Sequence, residues 1–232
     1  MQTIVFDVET GPLAESELSA LLPAFDPAEV KTGNLKDPAK IAEKISEAEA
    51  NHRRDFFDRA ALDPLTGRVV AVGLLYPDSN EVFIIGHDDE AKTLREFWDL
   101  TRGEMGRVNQ LVGFNTHQFD LPFLIRRSWK HRITVPFGIR RGRFWADEMV
   151  DLRELWQLGD RQARGSLDTI ARHFGVGAKV TASPACGELA GKKITGGDFA
   201  GLWKSDRQQA EAYLRNDLEL TARVADALGV TA

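Results

Sequence analysis

Residues 2–12 read QTIVFDVETGP, a β-branched apolar run over 2–8 that gives way to Glu9-Thr10-Gly11-Pro12. So apolar a run, bounded by turn residues, predicts a buried strand at the centre of a sheet. Asp7 and Glu9 lie two apart on it, so their side chains leave the same face with Cα atoms roughly 6.5 Å apart. They can converge on one cation. Taken alone, the pair also reads as two solvated acids at a strand end.

Outward from that strand, the texture changes over 13–64 to Ala, Glu, Lys and Asp. DPAKIAEKISEAEA opens on Asp37 as an N-cap with Pro38 at the first helical position, so this segment is expected to be mostly helical and surface-facing. RVVAVGLLY (68–76) and EVFIIG (81–86) flank Pro77-Asp78-Ser79-Asn80, the pattern of a hairpin. A helix near 90–101 leads to a short strand at 110–114, and a helix opens around Asp120-Leu121-Pro122. A weaker strand at 149–152, a helix at SLDTIARHF behind a Ser166 cap, a Gly/Lys-rich loop and a long helix over about 206–228 complete the chain. There is no internal repeat.

Two further acids stand out. Asp120, two residues before a proline that opens a helix, has the position of an ordinary cap. In the last helix, positions 213, 217, 220, 221, 224 and 228 form one stripe reading Tyr, Asp, Leu, Thr, Val, Leu, which puts Asp217 on the core-facing side. A buried carboxylate needs a cation or strong donors, so Asp217 calls for either an arginine partner or a metal ion. Tyr213, one turn earlier, reads alone as a core aromatic. Taken together, Asp7, Glu9, Asp120 and Asp217 supply enough carboxylates for two divalent cations, which at about 3.5–4 Å apart can clamp a scissile phosphate.

The stretches FDVET (6–10), GFNTHQFDLPFL (113–124) and YLRND (213–217) resemble the three exonuclease motifs of the DEDD superfamily. The D-x-E, N-x4-D and Y-x3-D spacings and the motif order all match, and the second stretch is similar to the proofreading exonuclease domains of family-B DNA polymerases and their stand-alone relatives. The resemblance covers most of the chain. It implies an α/β, ribonuclease-H-like three-layer fold, with a five-stranded mixed sheet, the first strand central and helices on both faces. It implies further that Asp7 bridges two ions, magnesium or manganese, that Glu9 and Asp217 complete one shell, and that Asp120 serves the second. Tyr213 would orient the nucleophilic water. One branch of the superfamily places His five residues before the last Asp, where this chain has Ala212, so the chain resembles the tyrosine branch. Thr10, Asn115 and Phe119 match positions that contact the last nucleotides of a single strand, Phe119 being equally suited to core packing.

Thirty-five acidic and 30 basic residues give a formal net charge of −5, so the chain as a whole repels a phosphate backbone unless cations or a local basic surface intervene. RRSWKHRITVPFGIRRGR (126–143) has seven Arg and Lys and no acid. It is a candidate phosphate-tracking edge. Lys192 and Lys193 in the Gly-rich loop read as a solvated loop, and GELAGKK (187–193) lacks the spacing and the hydroxyl of a nucleotide phosphate loop. His117 reads as a polar turn residue. The single Cys186 excludes an intrachain disulfide and a multi-cysteine zinc site, and no apolar run reaches the roughly 20 residues of a membrane span. A cytoplasmic protein is expected. The expectation is one exonuclease domain over 1–232, with an insertion at about 13–64 and, fifteen residues after Asp217, no fused polymerase. The expected activity is stepwise release of nucleoside 5′-monophosphates from the 3′ end of single-stranded DNA, a polymerase or repair protein being a possible partner in trans. An RNA 3′-end trimmer of the same branch and a non-catalytic nucleic-acid-binding module are the alternatives.

Overall fold

The computed structural model describes residues 1–136, 138–160, 162–179 and 196–231. Cys186, Lys192 and Lys193 lie outside them. Two compact units share the chain, one of residues 1–10 and 69–232 and the other of residues 11–68. The smaller unit carries helices α1 (Glu15–Leu21) and α2 (Pro38–Arg59). Asp37 caps α2 by accepting the Ala39 N–H at 2.9 Å with Pro38 behind it, and none of the 22 residues of α2 is buried. Ile41, Ile45, Ala48, His52 and Phe56, spaced at helical intervals, form a half-buried stripe along it, and its charged residues are exposed.

The larger unit is built on a five-stranded mixed sheet in the order β3 (Glu81–Ile85), β2 (Gly67–Tyr76), β1 (Thr3–Pro12), β4 (Gln110–Gly113), β7 (Met149–Asp151). β1 is central, and it runs four residues beyond the apolar stretch, past both acids to Pro12. β1 and β4 are parallel, with Val5 opposite Val112. β4 and β7 are also parallel, with Gly113 opposite Asp151, whereas β2 and β3 form the antiparallel hairpin.

The period of two along β1 sorts its side chains to opposite faces. Ile4, Phe6 and Val8 enter a core shared with α3 (Glu90–Leu100) and α4 (Asp120–Lys130). Val5 enters the opposite core, with residues of α5 (Leu152–Gln157), α6 (Leu167–Phe174) and α8 (Arg207–Ala227). Asp7 and Glu9 share the parity of Val5, so they face α8. That helix presses closely on the sheet at Gly73, where an added Cβ would come within 2.6 Å of Leu218 and 3.0 Å of Leu214. On the other face, buried Glu90 accepts from Arg127 at 2.6 and 2.9 Å, from the Val69 N–H at 2.7 Å and faces His131 at 2.8 Å. Burial pushes the Glu90 carboxyl up, but these partners outweigh it and hold it below its ordinary value. This buried network ties α3, α4 and β2 together.

Two helices and a hairpin depart from the sequence expectation. α5 follows β7 directly, α7 (Gly196–Ser205) precedes α8, and β5 (Arg140–Arg141) pairs with β6 (Phe144–Trp145) inside the basic run. Among the described residues no helix is long and apolar enough to cross a membrane.

Candidate metal centre

The stripe on α8 delivers Asp217 to the sheet. Leu214, Asp217, Leu218, Leu220, Thr221, Val224 and Ala225 are all buried, so the helix approaches β1 on an apolar face interrupted by one carboxylate. There Asp7, Glu9 and Asp217 each place an oxygen within 4.8 Å of the others. Burial raises all three, and the neighbouring carboxylates add to the rise at Asp7 and Glu9. Desolvation, then Asp217, pushes Asp7 up to about 6, against Lys179 and the Val8 N–H. Desolvation, followed by the charges of Asp7 and Asp217, raises Glu9 well above the ordinary glutamate range. Asp217 is raised by desolvation, with Lys179 and the Tyr213 hydroxyl opposing.

Asp120 stands close by but is held differently. It is the first residue of α4 rather than its cap, and its Oδ1 accepts the Val8 N–H at 3.2 Å, tying the start of α4 to β1 beside Asp7. Desolvation and the charge of Asp7 raise its carboxyl well above the usual range. Tyr213 packs its ring 6.1 Å from Phe199 and bonds Asp217 through its hydroxyl. Burial above all, then Asp217, Glu9 and Asp7, raise its pKa, so the phenol stays protonated.

Lys179 is the residue in this cluster that motif spacing did not reveal. Its Nζ lies 2.5 Å from Asp217 Oδ2, and its backbone N–H donates to Asp168 Oδ1 at 2.8 Å. Burial alone would lower the lysine's pKa, but Asp217, followed by Asp7 and Glu9, holds it above its ordinary value. Asp217 therefore does have a cationic partner, a lysine rather than the arginine considered from sequence. One ammonium against three carboxylates leaves the cluster net negative.

The loop after β4 is shaped by Asp151 at the end of β7. This buried carboxylate accepts the N–H groups of Asn115, His117 and Arg153, each at 2.9 Å, which holds Asn115 at φ 64° in the left-handed region. The Asn115 Oδ1 accepts from Arg153 at 2.8 Å. His117 sets its two ring nitrogens against Glu154 Oε2 at 2.7 Å and Met149 O at 3.0 Å, and stacks on Trp145. Asp151, His117 and Glu154 lie close enough together to hold an ion. Their groups are already spent on these bonds, so the trio is a knot that fixes the loop. Thr10 is buried on β1. Phe119 is half-buried, 5.6 Å from Phe123, and packs on the core beneath α4. The basic run divides: Arg127 is buried against Glu90, Arg141 pairs with Asp147, and Arg126, Lys130, Arg140 and Arg143 are exposed.

The sequence profile of the RNase_H superfamily matches residues 56–186. No curated protein matches the chain. The fold is similar to the family B DNA polymerase from the hyperthermophilic archaeon Pyrobaculum calidifontis, with a TM-score of 0.61 and 17% identity. That similarity covers 98% of this chain and 24% of the polymerase, so the chain spans about a quarter of the length of the structure it matches.

Proposed function

The chain belongs to the RNase_H superfamily, and from that membership and the acids gathered on β1 and α8 we propose that it is a metal-dependent 3′-to-5′ exonuclease of the tyrosine branch. The substrate in this reading is the 3′ end of single-stranded DNA, and the products are nucleoside 5′-monophosphates. One observation carries it: the oxygens of Asp7, Glu9 and Asp217 lie within 4.8 Å of one another in a setting that raises all three carboxyls.

Carboxylate oxygens are the donors magnesium and manganese prefer, and acids crowded against their own repulsion suit cations of charge two. In the proposed arrangement Asp7 would serve both ions, Glu9 and Asp217 would complete the first, and Asp120 would serve the second. Two such ions, when bound, lower the pKa of an attacking water and stabilise the leaving oxygen of an in-line displacement. The chain supplies the rest. Tyr213 keeps its proton at neutral pH, so its hydroxyl can donate to Asp217 and leave oxygen lone pairs to hold a water. The Lys179 ammonium offsets part of the negative charge that would otherwise repel a phosphate. Thr10, Asn115 and Phe119 are proposed to grip the unpaired end, by hydrogen bonding and by stacking that does not depend on base identity.

The similarity to a family B DNA polymerase favours DNA over RNA and a role beside a polymerase or repair protein. In this reading residues 1–232 act as one exonuclease domain, with 13–64 as an insertion. End-labelled DNA and RNA oligomers of one sequence, incubated in magnesium with and without chelator, test it. DNA shortened faster than RNA, only without chelator and not by the Asp7→Ala variant, is the expected result. Full activity in saturating chelator or in Asp7→Ala overturns the mechanism, and a faster rate on RNA reassigns the substrate.

A further inference from the structure

A groove of about 870 Å³ lies beside the acid cluster, with Phe114, Asn115, Arg153, Arg164, Ser166 and Lys179 in its lining. Among the described residues the lining holds three cations and no carboxylate, in a chain whose net charge is −5. Lys179 belongs to both places: it lines the groove and touches Asp217 at 2.5 Å. The groove therefore meets the acid cluster at Lys179.

Arg153 is the best-anchored of these cations. Its backbone N–H and that of Asn115 both donate to Asp151 Oδ1 at 2.9 Å, so one buried carboxylate fixes the pair. Its Nη1 donates to Asn115 Oδ1 at 2.8 Å. A guanidinium offers five N–H donors and no acceptor, so most of its donors remain for another group. Among the described residues Arg153 makes no ion pair, although the carboxylate beside it in sequence, Glu154, is engaged by His117. Two other arginines of this unit are neutralised in place, Arg127 by Glu90 and Arg172 by Asp168. A half-buried arginine with no ion pair among the described residues, fixed at a groove that meets the acid cluster at Lys179, is arranged to receive an anion. The planar fork matches two oxygens of a phosphate.

We infer that Arg153 binds an internucleotide phosphate of the single strand on the 5′ side of the scissile bond. The same guanidinium fixes the amide of Asn115: its donors hold the oxygen, so the Asn115 NH2 is turned away from it as a donor toward the bound strand. The inference rests on the exonuclease reading only for the direction in which the strand lies.

Equilibrium binding reads this without any cleavage. The probes are 5′-fluorescein-labelled thymidine octamers in calcium, one all-phosphodiester and others with a single uncharged methylphosphonate at successive linkages from the 3′ end, followed by fluorescence anisotropy. Arg153→Gln should weaken binding of the phosphodiester strand about 10- to 100-fold and reduce the slope of log affinity against log salt by about 0.7. Arg153→Lys, which keeps the charge and loses the fork, should show a smaller loss and retain the slope. At one linkage the methylphosphonate should weaken the wild-type chain and cost Arg153→Gln nothing further, as expected when both changes remove one interaction. Additive losses at every linkage, or unchanged binding in both variants, overturn the assignment. A wild-type chain that shows this coupling yet never shortens a strand refutes the nuclease reading and leaves Arg153 as a phosphate contact.

Discussion

Asp7→Asn should make the metal-free protein more stable at neutral pH while removing its proposed activity. Asp7 is pushed from its ordinary 3.8 up to about 6, so at pH 7.5 the folded chain holds an ionised carboxylate that it disfavours relative to the unfolded chain. At about 1.4 kcal/mol per pH unit, that rise corresponds to about 3 kcal/mol. Asp7 keeps some exposure, and water screens part of the effect, so the expected gain for the uncharged, nearly isosteric amide is about 1–2 kcal/mol. For a chain of this size, that is about 2–8 °C in Tm. The pH dependence has a definite sign. A carboxyl whose folded pKa is raised stabilises the fold fully below its unfolded pKa, and that contribution is lost as pH rises through about 6. The advantage of Asp7→Asn should therefore be largest at pH 7.5–8 and vanish near pH 4. Urea unfolding in chelator at both pH values measures it. A variant less stable than wild type at pH 7.5, or an advantage that grows on acidification, refutes the claim that the cluster stores repulsion for a cation to relieve.

Tyr213→Phe keeps the ring against Phe199 and removes the hydroxyl at Asp217, so turnover should fall about 10- to 1000-fold with Tm nearly unchanged; near-wild-type turnover would return Tyr213 to a core aromatic. Leu214→Ala, at a fully buried site on the same helix, should act through stability instead, costing about 2–5 kcal/mol in denaturant unfolding while the folded fraction stays active. Protons and divalent ions compete for the raised carboxyls, so manganese affinity measured by calorimetry should fall as pH drops through about 6; an affinity indifferent to pH between 5 and 8 would place the ion elsewhere.

Much of the framework was legible in apolar runs, turn residues and one helical stripe. The strand β1 and the hairpin of β2 and β3 follow from apolar runs bounded by turn residues, and the stripe on α8 that buries Asp217 from a repeat of 3.6 residues. The motif spacing singled out the acids, although it did not reveal that β1 continues past them to Pro12. What stayed hidden depends on contacts distant in sequence or on elements too short to show a period. α5 has six residues and β5 and β6 two each. α7 opens on two glycines and carries Gly201 inside it, a composition that reads as loop by propensity. Asp151 lies at the end of a short strand and gives no sign that three backbone N–H groups will surround it. Lys179 lies in a Val-Gly-Ala-Lys stretch with no motif, and only the folded chain brings its ammonium to Asp217, 38 residues away.

The central claim, that these acids run a metal-dependent exonuclease working from the 3′ end, is tested most directly by the products of a single-stranded DNA oligomer labelled at its 5′ end. In magnesium the wild-type chain should give a ladder of labelled strands, each one nucleotide shorter than the last, with nucleoside 5′-monophosphates as the small product. Chelator and Asp217→Ala should each abolish the ladder. Immediate release of the label as a mononucleotide, internal cleavage, or a ladder that persists in chelator would contradict the account.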